Sequence, residues 1–427
     1  MSNSPHSFSF IHCADLHLDS PFEGIQDIDP NIGTILRDST FKSFERIVSL
    51  AIEENVDFIV IAGDVYDSAY HSLRAQIRFR DAIKKVSDAG ISCFIAHGNH
   101  DPLDSWDAKL GLPINAHRFG GDTVCKMTAS RDGRPLADIY GVSFPTRIVN
   151  ENIAARFARE HDGVFAIGVL HCNLGGHPEH DNYAPCTLDD LRRANLNYWA
   201  LGHVHTRSEW TEQETCVVYP GNIQGRNVRE TGERGCYLVN VREDQTIKLQ
   251  FVPTDEVRWF AHDEANLDLR DIESFDTLLL ELSDILERLR VKADGRASIA
   301  RIRLYGRSDL HTELMSIDLV RDLIQRLREG ERDRRDFVWT ESIRIATLPT
   351  IDIAQRRLVD DFVGDYLKAA EELRSNGNID LVRQMMRDRP EGRNIITAID
   401  EFSDAELLEV LSDAELLGLN LLLSDND

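Results

Sequence analysis

Residues 57–64 read DFIVIAGD, a short apolar run that ends in a glycine and a carboxylate. Its length and its β-branched and aromatic residues are typical of a buried strand. Four other segments share this character, and each has an Asp, Asn or His at its end or directly after it. They are FSFIHCAD (8–15), ISCFIAHG (91–98), VFAIGVLH (164–171) and YWALGHVH (198–205).

The chain between these runs has helical periodicity. Apolar residues recur at helical spacing from Phe41 to Ile52, and residues 73–89 and Asp189–Ala194 predict two further helices. Alternation of strands and helices indicates an α/β fold in which helices flank a sheet. The apolar runs within 216–252 follow one another too closely for crossover helices, so we expect antiparallel strands there.

Composition divides the chain into three predicted parts. Residues 1–252 hold thirteen of the 15 histidines and form the first domain. Residues 253–346 alternate leucine-rich helices with strand patterns, which predicts a small α+β domain, and 347–427 read as a helical, acidic region. SDAELL occurs twice near the end, at 403–408 and 412–417. Each copy has a capping-box pattern, which predicts two short helices that dock on a partner or cover their own domain.

Net charge, apolar run length and cysteine spacing exclude several classes of function and location. Lys and Arg number 48 against 73 Asp and Glu, a net charge of −25, which argues against binding phosphate-rich polymers by bulk attraction. No apolar run is long enough to span a membrane, and the start lacks a signal-peptide pattern. The seven cysteines form no C-x-x-C pair. We therefore expect free thiols, a cytoplasmic protein and no membrane association.

The polar residues at the strand ends predict a metal site. Ligands of open α/β sheets bind at the carboxyl ends of the strands, and side chains two apart on an extended segment point the same way. Carboxylate, imidazole and amide donors suit Mn²⁺, Fe²⁺ or Zn²⁺. The donors exceed what one ion needs, so two ions that share a carboxylate are expected, the arrangement of a dinuclear phosphoesterase. The candidate donor residues are Asp15, His17, Asp64, Asn99, His100, Asp101, His171, His203 and His205.

Four other residues have a plainer interpretation. His12, His97 and His117 are expected to be structural or surface residues. Asp67 could be a metal ligand, but a hydrogen bond that orients a ligand, or a cap of its own loop, is at least as good an interpretation.

The ordered motifs DLH (15–17), GDVYD (63–67), GNHD (98–101), the His171 segment and GHVH (202–205) closely resemble the calcineurin-like metallophosphoesterase superfamily. FIHCADLHLDSPF (10–22) and YPGNIQGR (219–226) look like its DNA double-strand-break repair exonuclease branch, the SbcD-type and YhaO-type proteins. The resemblance covers residues 8–252 and implies a layered sandwich of sheets flanked by helices. The resemblance extends to residues 253–346 only in length and element order, and it implies that they form a capping domain that helps to position DNA.

Carried over by position, the resemblance implies a role for each site residue. One metal would be held by Asp15, His17 and His205, and the other by Asn99, His171 and His203, with Asp64 bridging. His100 would protonate the leaving oxygen or steady the transition state, and Asp101 would orient its ring. The resemblance also favours Mn²⁺, with Fe²⁺ or Zn²⁺ as alternatives.

Phosphodiester cleavage in DNA is the first functional hypothesis. Arg226 and Arg229 follow YPGNIQG and are the best-placed candidates for phosphate contact. The resemblance implies a coiled-coil ATPase partner of the SMC-like type and a homodimer. A phosphatase or phosphodiesterase for small molecules is the second hypothesis, and it accords with the net charge. A regulatory scaffold of the ATPase that has lost catalysis is the third.

Overall fold

The computed structural model describes residues 6–22, 30–67, 72–176, 182–212, 215–350, 352–375, 382–384 and 404–424. Within residues 1–253 the strands form two six-stranded sheets, in the orders β12-β11-β1-β2-β3-β4 and β5-β6-β7-β8-β10-β9. The strands are β1 (Phe8–Cys13), β2 (Phe58–Ala62), β3 (Ser92–Ala96), β4 (Ala116–Arg118), β5 (Cys125–Arg131), β6 (Arg134–Gly141), β7 (Phe165–His171), β8 (Tyr198–Gly202), β9 (Ser208–Glu212), β10 (Thr215–Tyr219), β11 (Gly235–Val241) and β12 (Ile247–Pro253).

Alternating side chains build a separate core on each face of the first sheet. In β2, Phe58 and Val60 belong to the cluster that both sheets share, where they meet residues such as Ile167 and Tyr198. Ile59 and its alternate neighbours pack in a different cluster, on the opposite face. Every residue of β2 is buried, which explains why its sequence is apolar throughout rather than alternating.

Helices cover the outer faces of both sheets. The helices α1 (Pro30–Glu53) and α2 (Leu73–Asp88) pack on the first sheet, and α3 (Leu188–Arg193) packs on the second. Ser72 caps α2 by accepting a hydrogen bond from the backbone N–H of Ala75. The layers are therefore helix, sheet, sheet and helix, and the expected layered α/β sandwich is confirmed.

The end of the first domain differs in part from the prediction. The strands β11 and β12 pair antiparallel, as expected. The strand β10 does not join β11 and β12: it lies in the other sheet and runs parallel to β8, so the expectation that all three runs are antiparallel strands holds only in part. The reason is β9, which the sequence analysis missed: it reverses the chain after β8 and pairs antiparallel with β10.

Residues after 253 contain a further sheet and several helices. The strand order is β13-β15-β14, and β16 pairs with β15. The elements are β13 (Val257–Phe260), β14 (Asn266–Asp268), α4 (Phe275–Lys292), β15 (Ala297–Ser308), α5 (His311–Leu314), α6 (Ile317–Glu329), β16 (Val338–Pro349), α7 (Ile353–Arg357), α8 (Phe362–Ser375) and α9 (Asp404–Ser424).

The chain divides into two compact units that interleave in sequence. The first comprises Met1–Asn266, Leu280–Arg303 and Arg321–Arg344, and the second comprises Leu267–Leu279, Leu304–Val320 and Ile345–Asp427. The division into parts after residues 252 and 346 stays a prediction. In the described part of the chain, no helix has both the length and the apolar character needed to cross a membrane.

The C-terminal repeat does not form two short helices. Residues of both SDAELL copies lie within the single helix α9, so that prediction is wrong. Leu407, Glu415 and Leu419 are buried at spacings of eight and four residues, which place them on one helical face. Leu419 packs with Val363 and Leu367 of α8. Burial of this continuous face outweighs the local tendency of Ser412 to start a new helix.

Candidate metal centre

The predicted ligands follow β1, β2, β3, β7 and β8 and converge at one end of the two facing sheets. The first three of these strands are parallel neighbours, as are β7 and β8, so each set ends at a common edge. The backbone N–H of Asp15 donates to Gly63 O at 3.1 Å, which joins two loops of the first sheet. The N–H of His203 lies 3.1 Å from both carboxylate oxygens of Asp15, which joins the two sheets.

The backbone at four predicted ligands is left-handed rather than extended. The φ angles are 51° at Asp15, 43° at His17, 52° at Asp64 and 101° at His203. Asp15 and His17 do approach one another, but the assumption of an extended segment was wrong. Non-glycine residues in this region of φ are strained and recur at functional sites, where surrounding contacts hold them.

Asp15, His17 and His205 form the first group of candidate metal ligands. One ligand atom from each lies within 4.8 Å of the other two. His17 Nε2 and His205 Nε2 are 3.2 Å apart. The group therefore has the composition that the family resemblance implied for one metal.

The second group combines an amide oxygen with two imidazoles. Asn99 Oδ1 lies 3.0 Å from His171 Nε2 and 3.2 Å from His203 Nδ1. Asp64 lies between the groups, because its Oδ2 is 3.3 Å from His171 Nε2 and 3.7 Å from His17 Nε2. This is the position that a bridging carboxylate would need.

The donor set fits divalent cations. The side chains of Asp15, His17, Asp64 and His171 are all almost fully buried. Burial raises the pKa of Asp15 and lowers the pKa of His17. Buried carboxylates are costly unless they are paired or bind metal, and neutral imidazoles are the form that binds metal. The chain thus holds the residues of a candidate dinuclear metal site.

Hydrogen bonds orient two of the predicted histidine ligands. Nδ1 of His171 donates to Ala62 O at 3.0 Å, so Nε2 is the ring nitrogen that faces Asn99 Oδ1. Nδ1 of His205 is 2.7 Å from Glu230 Oε1, and Glu230 is 6% exposed. Bonds of this kind fix the tautomer of a metal-binding histidine. The sequence analysis missed Glu230, because it belongs to no strand-end motif.

His100 lies beside the first group with its side chain 35% exposed. Its ring centroid is 4.9 Å from that of His17, and its backbone N–H donates to Asp64 Oδ1 at 2.9 Å. Nδ1 of His100 is 3.6 Å from Asp67 Oδ1. Burial lowers the pKa of His100, but the charges of Asp64 and Asp67 outweigh it, and the net shift is upward. Its position suits a proton donor at the open side of the site.

Asp101 does not orient the His100 ring, so that part of the prediction is wrong. Its carboxylate accepts hydrogen bonds from the backbone N–H of Val65 at 2.9 Å and of Gly98 at 2.8 Å. It also lies 3.0 Å from His97 Nδ1. Asp101 therefore holds two ligand loops together, and Asp67 is the carboxylate nearest to His100 Nδ1.

The two predicted phosphate-binding arginines differ in position. Arg226 is close enough to the site for its charge to disfavour protonation of both His17 and His100: it adds to the effect of burial that lowers the pKa of His17, and it opposes the net upward shift of the His100 pKa. Its guanidinium Nη2 lies 3.7 Å from Glu230 Oε1. Arg229 is exposed, and its backbone N–H donates to Asn227 Oδ1. The structure thus brings Arg226, but not the Arg229 side chain, to the candidate site.

Two histidines outside the site have structural partners, as expected. His12 is buried, with Nδ1 2.9 Å from Tyr198 Oη and Nε2 3.2 Å from Leu201 O. His97 Nδ1 lies 2.9 Å from Asp101 O. His117, on β4, is half-buried beside the Phe94 ring.

Comparison with known proteins agrees with this geometry. The family described as "Calcineurin-like phosphoesterase" matches residues 8–207, and "Metallophosphoesterase YhaO, middle domain" matches residues 262–348. The chain is 33% identical over 412 residues to "Uncharacterized metallophosphoesterase YhaO" of Bacillus subtilis (strain 168), which covers 96% of each chain. The chain belongs to the calcineurin-like metallophosphoesterases. It is accordingly a phosphoesterase by family, as the motifs predicted.

This metallophosphoesterase is also similar to archaeal repair proteins. It is 28% identical to "DNA double-strand break repair protein Mre11" of Aeropyrum pernix, over 53% of this chain and 56% of the relative. The protein of the same name from Thermoplasma acidophilum is 23% identical over 65% of this chain and 73% of that relative. Both similarities cover only part of this metallophosphoesterase.

Proposed function

We propose that this metallophosphoesterase hydrolyses phosphodiester bonds of DNA with two divalent cations, of which Mn²⁺ is the favoured species. The observation that carries the proposal is the position of Asp64 between two groups of buried ligand atoms. Two bound ions would activate a water molecule and neutralise charge on the phosphate. Asp15, His17 and His205 would hold one ion, and Asn99, His171 and His203 the other.

Two residues of the chain would act on the substrate directly. His100 would donate a proton from Nε2 to the leaving oxygen, since its Nδ1 faces Asp67. Arg226 would bind a phosphate oxygen, because its guanidinium lies 3.7 Å from Glu230 Oε1, the oxygen that contacts His205. Asp101 would act indirectly, by holding the loop that presents Asn99 and His100.

DNA is the proposed substrate for two reasons. The motifs resemble the repair exonuclease branch of the superfamily, and two similar relatives are named as double-strand break repair proteins. We further propose that residues 253–346 position DNA, and that the protein works in the cytoplasm as a homodimer with a coiled-coil ATPase. Seven free cysteines support the location. The C-terminal region is the proposed docking segment for the ATPase.

A nuclease assay with a histidine variant tests the proposal. Purified protein with Mn²⁺ should degrade linear DNA, and His100→Asn should lower the rate by about 10²- to 10⁴-fold, the usual contribution of general acid–base catalysis. Mn²⁺ binding by the variant should persist. His117→Asn is the matched control, because His117 is half-buried on β4, away from the site.

Two other results would contradict the DNA proposal, and a third would contradict the role of His100. Hydrolysis of a chromogenic phosphodiester or a nucleotide, with DNA left intact, would favour a small-molecule phosphodiesterase or phosphatase. Inactivity on every substrate, even with the ATPase added, would favour a regulatory scaffold. An unchanged rate in His100→Asn would exclude the proposed proton donor.

A further inference from the structure

Glu230 lies behind the first group of candidate ligands, and its two carboxylate oxygens have different partners. Oε1 is 2.7 Å from Nδ1 of His205. Oε2 accepts the backbone N–H of Arg226 at 2.7 Å. The backbone N–H of Glu230 donates to Asn227 O at 3.0 Å, which closes residues 226–230 into a turn around the carboxylate. One buried carboxylate therefore touches a predicted metal ligand and a predicted phosphate-binding residue.

The contact with His205 determines which ring nitrogen is available. A carboxylate only accepts hydrogen bonds, so His205 Nδ1 must be the protonated nitrogen in this pair. The other nitrogen, Nε2, then carries the lone pair and lies 3.2 Å from His17 Nε2. The tautomer that Glu230 selects is the one that a metal ion in the first group requires.

The backbone of His205 has separate supports. The backbone N–H of Asn222 lies 3.3 Å from His205 O, and the buried guanidinium of Arg234 also donates to that oxygen. Arg234 Nη1 in turn donates to Asn222 Oδ1 at 3.0 Å. Replacing Glu230 would release the ring of His205 and the turn of residues 226–230, while the contacts from Asn222 and Arg234 would hold the backbone of His205 in place.

We propose that Glu230 is a positioning residue that holds His205 for one metal ion and Arg226 for the substrate phosphate. The second half of this inference rests on the proposed function, whereas the first half requires only metal binding. The carboxylate would couple the orientation of His205 to the position of Arg226, because movement of the 226–230 turn changes both contacts of Glu230. Asn99 contacts His171 and His203 in the second group, whereas Glu230 contacts His205 of the first group, so binding of the second ion should depend less on Glu230 than binding of the first.

Calorimetric Mn²⁺ titration of metal-free protein tests the metal half. Glu230→Ala should weaken one of two binding events by about 10- to 100-fold, the usual effect of losing such a support, and should leave the other unchanged. Glu230→Gln should weaken it less, because its amide oxygen can still accept from His205 but its amide nitrogen cannot accept from Arg226. Glu233→Gln is the control: Glu233 is 50% exposed and pairs with Arg258 instead.

Steady-state hydrolysis of bis(p-nitrophenyl) phosphate at saturating Mn²⁺ tests the Arg226 half. Glu230→Ala should raise KM more than it lowers kcat, and it should have little further effect in an Arg226→Ala background. Unchanged Mn²⁺ affinities in Glu230→Ala, or equally weakened binding of both ions, would contradict the role of Glu230 in positioning His205. Either result together with a lower melting temperature would assign Glu230 a purely structural role. If the wild type hydrolyses no phosphodiester, the proposed function fails, and the titration still decides the role of Glu230.

Discussion

At the scale of residues, the candidate site gathers groups that a protein interior tolerates poorly. Asp15 and Asp64 are each 1% exposed, and both have left-handed backbone. Burial of a carboxylate and positive φ each have a free-energy cost, which persists only where other contacts hold the residue. Bound cations would offset the electrostatic part of this cost. The arrangement is therefore better explained by metal binding than by fold stability.

His12 provides a pH prediction that does not depend on the site. Burial lowers the pKa of His12 to about 3. Below the usual histidine pKa of about 6.5, the unfolded chain takes up a proton that the folded protein refuses, so stability should fall as pH falls from about 6.5 towards 3. His12 contributes at most about 1.4 kcal/mol per pH unit to this slope. Urea unfolding of metal-free wild type and His12→Gln between pH 7 and pH 4 measures it.

The His12→Gln variant should lose stability less steeply on acidification than the wild type. Other histidines titrate equally in both proteins, so the difference between the two slopes isolates His12. Equal slopes would contradict the assigned pKa shift, whatever the stability of the variant at pH 7.

Motif residues could be predicted individually, but their partners could not. The ligands Asp15, His17, Asp64 and Asn99 were identified because each follows an apolar strand pattern. GNHD and GDVYD offered two carboxylates for His100, and only the loop geometry distinguishes Asp101 from Asp67. Glu230 lies 25 residues after His205, and no sequence periodicity connects them.

At the scale of elements, glycines set how closely the ligand loops approach. A Cβ on Gly202 would lie 1.9 Å from Ala62 O, where the two sheets meet. A Cβ on Gly98 would lie 2.3 Å from Asp64 Oδ1 and 2.7 Å from His171 Nε2. Real Cβ atoms do not approach so closely, so these positions require glycine for reasons of space.

Gly98→Ala should therefore disturb the metal centre directly. The added methyl group must displace Asp64 or His171, and we expect Mn²⁺ affinity to fall by about 10-fold or more, as for other disrupted ligand supports. Gly120→Ala is the matched control, because no heavy atom lies within 4 Å of its added Cβ. Calorimetry on both variants gives the comparison. Wild-type affinity in Gly98→Ala would show that the ligand loops are not packed as described.

Elements with strong apolar runs were predictable, and those with mixed patterns were not. The strands β1, β2, β3, β7 and β8 correspond to the five apolar runs that end in or precede a polar site residue. Four strands of the first domain were missed. The strands β4, β5 and β9 are largely half-buried or exposed, and β6, although mostly buried, begins with Arg134 and Pro135 and contains Asp138, so its sequence lacks an uninterrupted apolar run. The helix α9 was mispredicted for a different reason. The capping-box pattern predicted a new helix at Ser412, but burial of one continuous face keeps α9 as a single helix.

At the scale of the whole molecule, the net charge of −25 is compatible with a phosphate substrate. Two divalent ions would make the candidate site locally positive, and the charge of Arg226 acts on His17 and His100 of this site. The excess of acidic residues is concentrated after residue 252, and nine of them lie in the last 28 residues. We therefore expect the proposed binding of DNA to depend on the metal centre and on a partner protein more than on the bulk charge of this chain.

The central claim is that one chain binds two divalent ions in a single site that hydrolyses phosphodiesters. Equilibrium dialysis of the purified, metal-stripped protein against Mn²⁺, followed by elemental analysis, counts the ions directly. We predict two ions per chain at saturation, and removal with EDTA should abolish hydrolysis and lower the melting temperature, because cations that bind the folded state stabilise it by mass action. Saturation at one ion or none, or hydrolysis that persists in EDTA, would contradict the account.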